Sequence, residues 1–197
     1  SMRLGKIYVP SLRWKMGEYQ ALLQLSSRAR QSIIPLIEIP EIGFDFETRE
    51  NSKTIDEHLS KFGKRLKEKW GRSECFIDMR HIGDSERMAN GQIPLDFIFG
   101  DLRIKGIQAI PVIGINENIQ LQSELYKTAK IDGRGLCLRV TLEQVVQSDF
   151  ADKVKGLLLK SNLSVEQFDF VLDLSSPNFE PLDGFAGLLT TIIKGIP

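Results

Sequence analysis

Gln108-Ala109-Ile110-Pro111-Val112-Ile113-Gly114 and Gly135-Leu136-Cys137-Leu138-Arg139-Val140, separated by the helical-period segment Asn118–Lys130, are the stretch that decides the fold. Each apolar run is too short for a buried helix and has a Val, Ile or Leu core, so each reads as a strand. A strand, an amphipathic helix and a second strand within about 30 residues make a βαβ unit, which implies parallel pairing.

The same alternation extends in both directions. Further strands are expected at Ile7–Leu12, Ile33–Ile39, Glu74–Arg80 and Phe168–Leu174. Helices are expected at Gly17–Arg30, Ser52–Trp70, from Pro94 to Lys105, at Thr141–Lys160 and near Leu182–Lys194. Pro94 suits a first helical turn, and Thr141 with Glu143 and Gln144 marks a helix start. Strand starts fall about 32 residues apart, the period of a (β/α)₈ barrel of ~250 residues. The expected fold class is therefore α/β, a barrel with six β/α units present and its C-terminal units missing. A doubly wound open sheet shares this alternation and is the alternative. No repeat or linker marks a boundary, so residues 2–197 read as one domain, with Ser1 set aside as an expression remnant.

Composition narrows function by exclusion. The 26 basic and 26 acidic residues cancel, so no global field draws nucleic acid or anionic membrane. No apolar run has the length of a membrane span and no leader is expected. Cys75 and Cys137 lie in apolar runs without metal-ligand spacing and read as small buried hydrophobes, which with a reducing cytoplasm completes the expectation. Dinucleotide, P-loop, serine-hydrolase and zinc-protease motifs are lacking.

Charge at strand ends is the positive signal. Glu38, Asp78, Arg80, Arg139 and Asp173 each close an apolar strand, and Lys15 and Glu18 follow the first one. In parallel α/β folds the C-terminal strand ends form the functional face. Asp78 and Arg80, two apart, share one side of their strand. Seven ionisable groups are thus expected at one mouth: Lys15, Glu38, Asp78 and Asp173 as acid–base candidates, and Lys15, Glu18, Arg80 and Arg139 as ligand contacts. Forked guanidinium donors suit phosphate or carboxylate, and the carboxylates suit proton transfer or Mg²⁺. A closed salt-bridge layer without further function is the competing reading. Among other residues, His58 reads as solvated, His81 as within reach of the mouth, Trp14 as a cap on the core and Gly114 as turn chemistry.

The opening Tyr8-Val9-Pro10-Ser11-Leu12-Arg13-Trp14-Lys15-Met16-Gly17-Glu18-Tyr19-Gln20-Ala21-Leu22, followed by Pro35-Leu36-Ile37-Glu38-Ile39, resembles the phage beta-protein family. Ile110-Pro111-Val112-Ile113-Gly114, Leu138-Arg139 and Leu172-Asp173-Leu174 fit the same pattern. The resemblance spans nearly the whole chain. It implies a barrel and a longer full-length protein, and it marks Lys15, Glu18, Glu38, Arg139 and Asp173 as motif members. It implies no substrate. Two functions are carried forward: a barrel acting on a small anionic, phosphorylated or nucleotide-like ligand as a hydrolase or lyase, and a non-enzymatic phage accessory protein that binds a host protein. Missing units would expose sheet edges and favour a dimer.

Overall fold

Period-two alternation in the strands separates two apolar layers. The structure, a computed structural model, describes residues 8–174. Six strands pair in parallel: β1 (Ser11–Arg13), β2 (Leu36–Glu38), β5 (Cys75–Asp78), β6 (Ala109–Gly114), β7 (Leu136–Thr141) and β8 (Phe168–Asp173). One set of side chains, including Ile37, Ile77, Ile113, Leu138 and Phe168, packs with apolar residues of the helices in the larger core. The alternate set, Leu36, Phe76, Ile110, Val112 and Cys137 with Ile34, forms a second core to which no described helix contributes.

That partition separates the two candidate architectures. In a doubly wound sheet helices cover both faces and the strand order reverses at a switch point. Here the order is sequential, β1-β2-β5-β6-β7-β8, and the helices pack on one face. The sheet is a barrel wall, and the open-sheet alternative is excluded. Its curvature is measurable in one contact. Arg139 on β7 lies three ladder steps from Glu38 on β2, about 14 Å along a flat sheet, yet their side chains meet at 2.8 Å. The inner face is therefore concave.

Three helices expected as continuous are each split. Gly17–Arg30 is α1 (Met16–Gln24) and α2 (Ser27–Gln31), because Leu25 is extended and the Ser26 hydroxyl caps a new helix by accepting from the Ala29 N–H. Ser52–Trp70 is α3 (Ile55–Leu59) and α4 (Phe62–Lys69), begun by a Thr54–Glu57 capping box. Thr141–Lys160 is α7 (Leu142–Val145), with the Thr141–Gln144 capping box, and α8 (Phe150–Ser161). α5 (Pro94–Ile104) and α6 (Ile119–Asp132, capped by Asn118) match expectation. A short antiparallel hairpin, β3 (Phe44–Asp45) and β4 (Glu50–Asn51), follows β2 and had no periodic signal. The expected helix at 182–194 and the Ile7 strand start lie outside the described residues.

Two glycines flanking Arg134 show how locally backbone constraint is set. Gly133 ends α6 at φ +63° with open space around its Cα. Gly135 leads into β7 at φ +87°, and a Cβ there would lie 2.1 Å from the Gln167 carbonyl oxygen. Gly133→Ala is expected to cost about 1–2 kcal/mol, the left-handed penalty alone. Gly135→Ala adds a backbone clash and is expected to cost more than twice as much; urea denaturation of the two variants checks the ratio.

Candidate functional site

Inner-face positions at the C-terminal end of the strands carry the charges. Arg139 is the hub. Its Nη1 donates to Glu38 Oε1 at 2.8 Å and to Asp78 Oδ2 at 3.0 Å, while Nε and Nη2 reach Asp173 Oδ2 at 3.0 and 2.7 Å. Arg80 donates from Nε and from its backbone N–H to the two Asp78 oxygens, both at 2.9 Å. Glu38 is completed by Ser11 Oγ at 3.0 Å and His81 Nε2 at 2.7 Å. Glu38, Asp78 and Arg139 are each at least nine-tenths buried. Buried charge is tolerated only when paired this fully.

The electrostatics follow from that pairing. Burial alone would raise the Glu38 carboxyl, but hydrogen bonds from His81, Arg139 and Ser11 outweigh it and hold the pKa at about 2. Burial likewise opposes the charge on Arg139, yet its bonds to Asp173 and Glu38 raise its pKa above the ordinary arginine value. Both thiols are buried and free, and burial pushes Cys75 up to about 12.

Five of the seven expected residues, Glu38, Asp78, Arg80, Arg139 and Asp173, come together, and His81 joins them. Lys15 and Glu18 do not. Glu18 turns back to accept the Arg13 N–H at 2.6 Å, and Lys15 lies exposed on a separate cleft. His58 is not solvated as expected: Nε2 meets the Pro40 carbonyl at 2.6 Å, and Nδ1 is buried. Trp14 caps the core as expected, packed on Tyr19 and Phe62.

A cavity of about 250 Å³ opens beside the hub. Asp78, Arg80, Gly114, Thr141, Gln144 and Asp173 are among the residues lining it, together with Glu117, which sequence reading missed. Glu117 lies three residues beyond its strand, in the loop after β6, so a search for strand-terminal charge passes over it. Its Oε1 accepts the Gly114 N–H at 3.2 Å. Burial, with added repulsion from Asp78 and Asp84, raises its pKa despite that bond.

Magnesium does not fit these residues. Glu38, Asp78 and Asp173 already converge on the Arg139 guanidinium, which stands where a cation would. Among the described residues no three His, Cys, Asp or Glu side chains are placed to hold a metal ion. No described helix is long and apolar enough to cross a membrane.

Fold and site together define an α/β barrel-type protein with a charge-locked C-terminal mouth. The chain belongs to the beta protein family, whose model matches residues 8–194. Among solved structures, it is similar to a type I 3-dehydroquinate dehydratase from Clostridium difficile with covalently modified comenic acid. That likeness is 12% identity over 90% of this chain and 75% of the other, at a TM-score of 0.47. A comparison with curated proteins found no match.

Proposed function

We propose that the mouth binds a small ligand bearing one phosphate or carboxylate group and acts on it by acid–base chemistry. The observation that carries this reading is the pairing, on one cavity, of Arg80 with Glu117. Arg80 spends only its Nε and backbone N–H on Asp78, leaving the outer guanidinium edge for an anion. Burial above all favours the protonated form of Glu117 relative to an ordinary carboxyl, which suits it to a general-acid role. Glu38, held ionised by three partners, is better suited to positioning Arg139 and His81 than to donating a proton. The hub's ion pairs consume the Arg139 guanidinium, so the outer edge of Arg80 is what remains, and one guanidinium edge matches one anionic group.

A thermal-shift screen against hydroxy acids and sugar monophosphates tests this. A ligand present at ~100 times its dissociation constant stabilises by about 2.7 kcal/mol, a rise of roughly 5–10 °C for a chain of this size. Arg80→Gln should abolish the shift, whereas Glu117→Gln should retain binding and lose turnover. A shift that survives Arg80→Gln, or no shift with any compound, refutes the reading. Glu117 also carries a stability prediction. A carboxyl whose folded pKa is raised destabilises the fold above that pKa, and the penalty fades as pH falls. Glu117→Gln should therefore be more stable than the parent at pH 7, with the gain shrinking toward pH 4.

A second reading, a protein that binds a host protein, draws on the hairpin tip. Phe44 and Phe46 stack edge to face at 5.1 Å while 49% and 84% exposed. Exposed aromatics of this kind are typical contact residues. Phe46→Ser would abolish such a complex and leave ligand shifts intact.

A further inference from the structure

A second cleft, of about 600 Å³, opens between the start of α1, the segment after β2, the hairpin base and the start of α4. It is lined by four cations from three separate segments: Lys15, Lys53, Lys61 and Arg65. Among the described residues none of the four forms an ion pair. The two acids in the lining, Glu57 and Glu41, feel the charges of Lys53 and Lys15 respectively, and four cations against two carboxylates leave the cleft net positive. Glu57 Oε2 accepts the Thr54 N–H at 2.8 Å and its hydroxyl at 3.2 Å, and Glu41 faces Arg13 at 3.7 Å. Trp14 and Phe62 give the cleft an apolar wall.

A second, independent observation concerns polar atoms. Trp14 is 8% exposed, and its Nε1 has no hydrogen-bond partner; His58, in the same lining, leaves its buried Nδ1 unpartnered as well. Buried polar atoms are rarely left unmatched, and each exception calls for an explanation, a water or ion among them.

We propose that this cleft is a binding site for a small oligophosphate, a ligand carrying two or more linked phosphate groups. The chemistry differs from that of the mouth. There, one free guanidinium edge matches a single anionic group; here, four cations against two carboxylates around one cavity match several closely spaced negative charges. Lysine and arginine supply point-charge and forked contacts respectively. The volume lies within the range of small-molecule sites. The inference stands apart from the proposed acid–base function and does not require it.

Calorimetric titration of the whole chain with inorganic triphosphate at 150 mM salt tests it. Saturable one-to-one binding is expected, weakened at least tenfold by Lys61→Gln with Arg65→Gln and by Lys15→Gln, and unchanged by Arg80→Gln at the mouth. Lys15, Lys61 and Arg65 are exposed, and an unaltered melting temperature in each variant separates lost binding from lost fold. The proposal is overturned if triphosphate does not saturate, if the cleft variants bind as the parent does, or if Arg80→Gln abolishes binding. It is also overturned if a single-stranded oligonucleotide displaces triphosphate at lower concentration, which would mark a nucleic-acid surface.

Discussion

Arg139→Met should unfold roughly 10 °C or more below the parent protein at pH 7. The substitution keeps much of the side-chain volume and removes the cation on which three carboxylates converge. Replacing a whole buried ion cluster with apolar residues can be neutral, but removing one partner leaves uncompensated charge and costs about 3–5 kcal/mol. For a chain of this size each kcal/mol is worth about 2–4 °C. The signature beyond the loss itself is its pH dependence. Without Arg139 the three carboxylates repel one another with no cation between them, so the deficit is greatest where they are ionised. It should shrink as pH falls toward 4 and the carboxyls take up protons. Adding Glu38→Gln and Asp78→Asn should restore part of the stability at pH 7, since the remaining repulsion is smaller. Equal melting temperatures for Arg139→Met and parent at pH 7, or a deficit independent of pH, would rule out the charge hub as a stabilising unit.

Glu38 should make the parent protein's stability fall steeply in acid. Its folded pKa of about 2 lies below the ordinary value of 4.5. A depressed carboxyl contributes stability that is fully present above the unfolded pKa and is lost as pH falls through the folded one. The window is therefore pH 4.5 down to 2, and the contribution is on the order of 3 kcal/mol. Glu38→Gln keeps the shape and removes the titration, so the parent-minus-variant difference in urea denaturation should be largest at pH 7. That difference should hold to about pH 5 and then decline toward zero near pH 2. A difference that stays constant from pH 7 to pH 3 would show that Glu38 is not held ionised by Arg139, His81 and Ser11. Because this residue and Arg139 share a hydrogen bond, the two effects are not additive, and a double-mutant cycle reads the coupling directly.

The strand-end charges were legible because each interrupts an otherwise apolar run. A strand buried on both faces has little reason to carry Glu38, Asp78, Arg139 or Asp173 unless the end of the strand serves another purpose. Asp78 and Arg80 do hydrogen bond and line one cavity, with Arg80 in the turn just past β5. Where a charge lies off the strand, in a turn or a helix, that rule loses its hold. Lys15 follows β1 as closely as Arg80 follows β5, yet α1 begins immediately after it and turns it toward the second cleft. Glu117 belongs to the cavity because the loop after β6 folds back over Gly114, a contact that no periodicity encodes. His58 reads as surface on a lysine-rich helix, but the segment after β2 brings the Pro40 carbonyl onto it.

By itself, the sequence determined the parallel α/β class, the strand positions near 36, 75, 109, 136 and 168, the helix start at Thr141, and the identity of five charges at the mouth. These are local properties, written in apolar period, cap chemistry and the cost of burying charge. Only the tertiary structure decided between barrel wall and open sheet, because both are built from the same βαβ units and differ in which strands become neighbours. It also decided that Arg139 is shared by carboxylates from β2, β5 and β8, residues 34 to 101 positions away in the chain. Such contacts depend on the curvature of the whole sheet, which arises from the summed twist and packing of six strands and has no counterpart in any single segment.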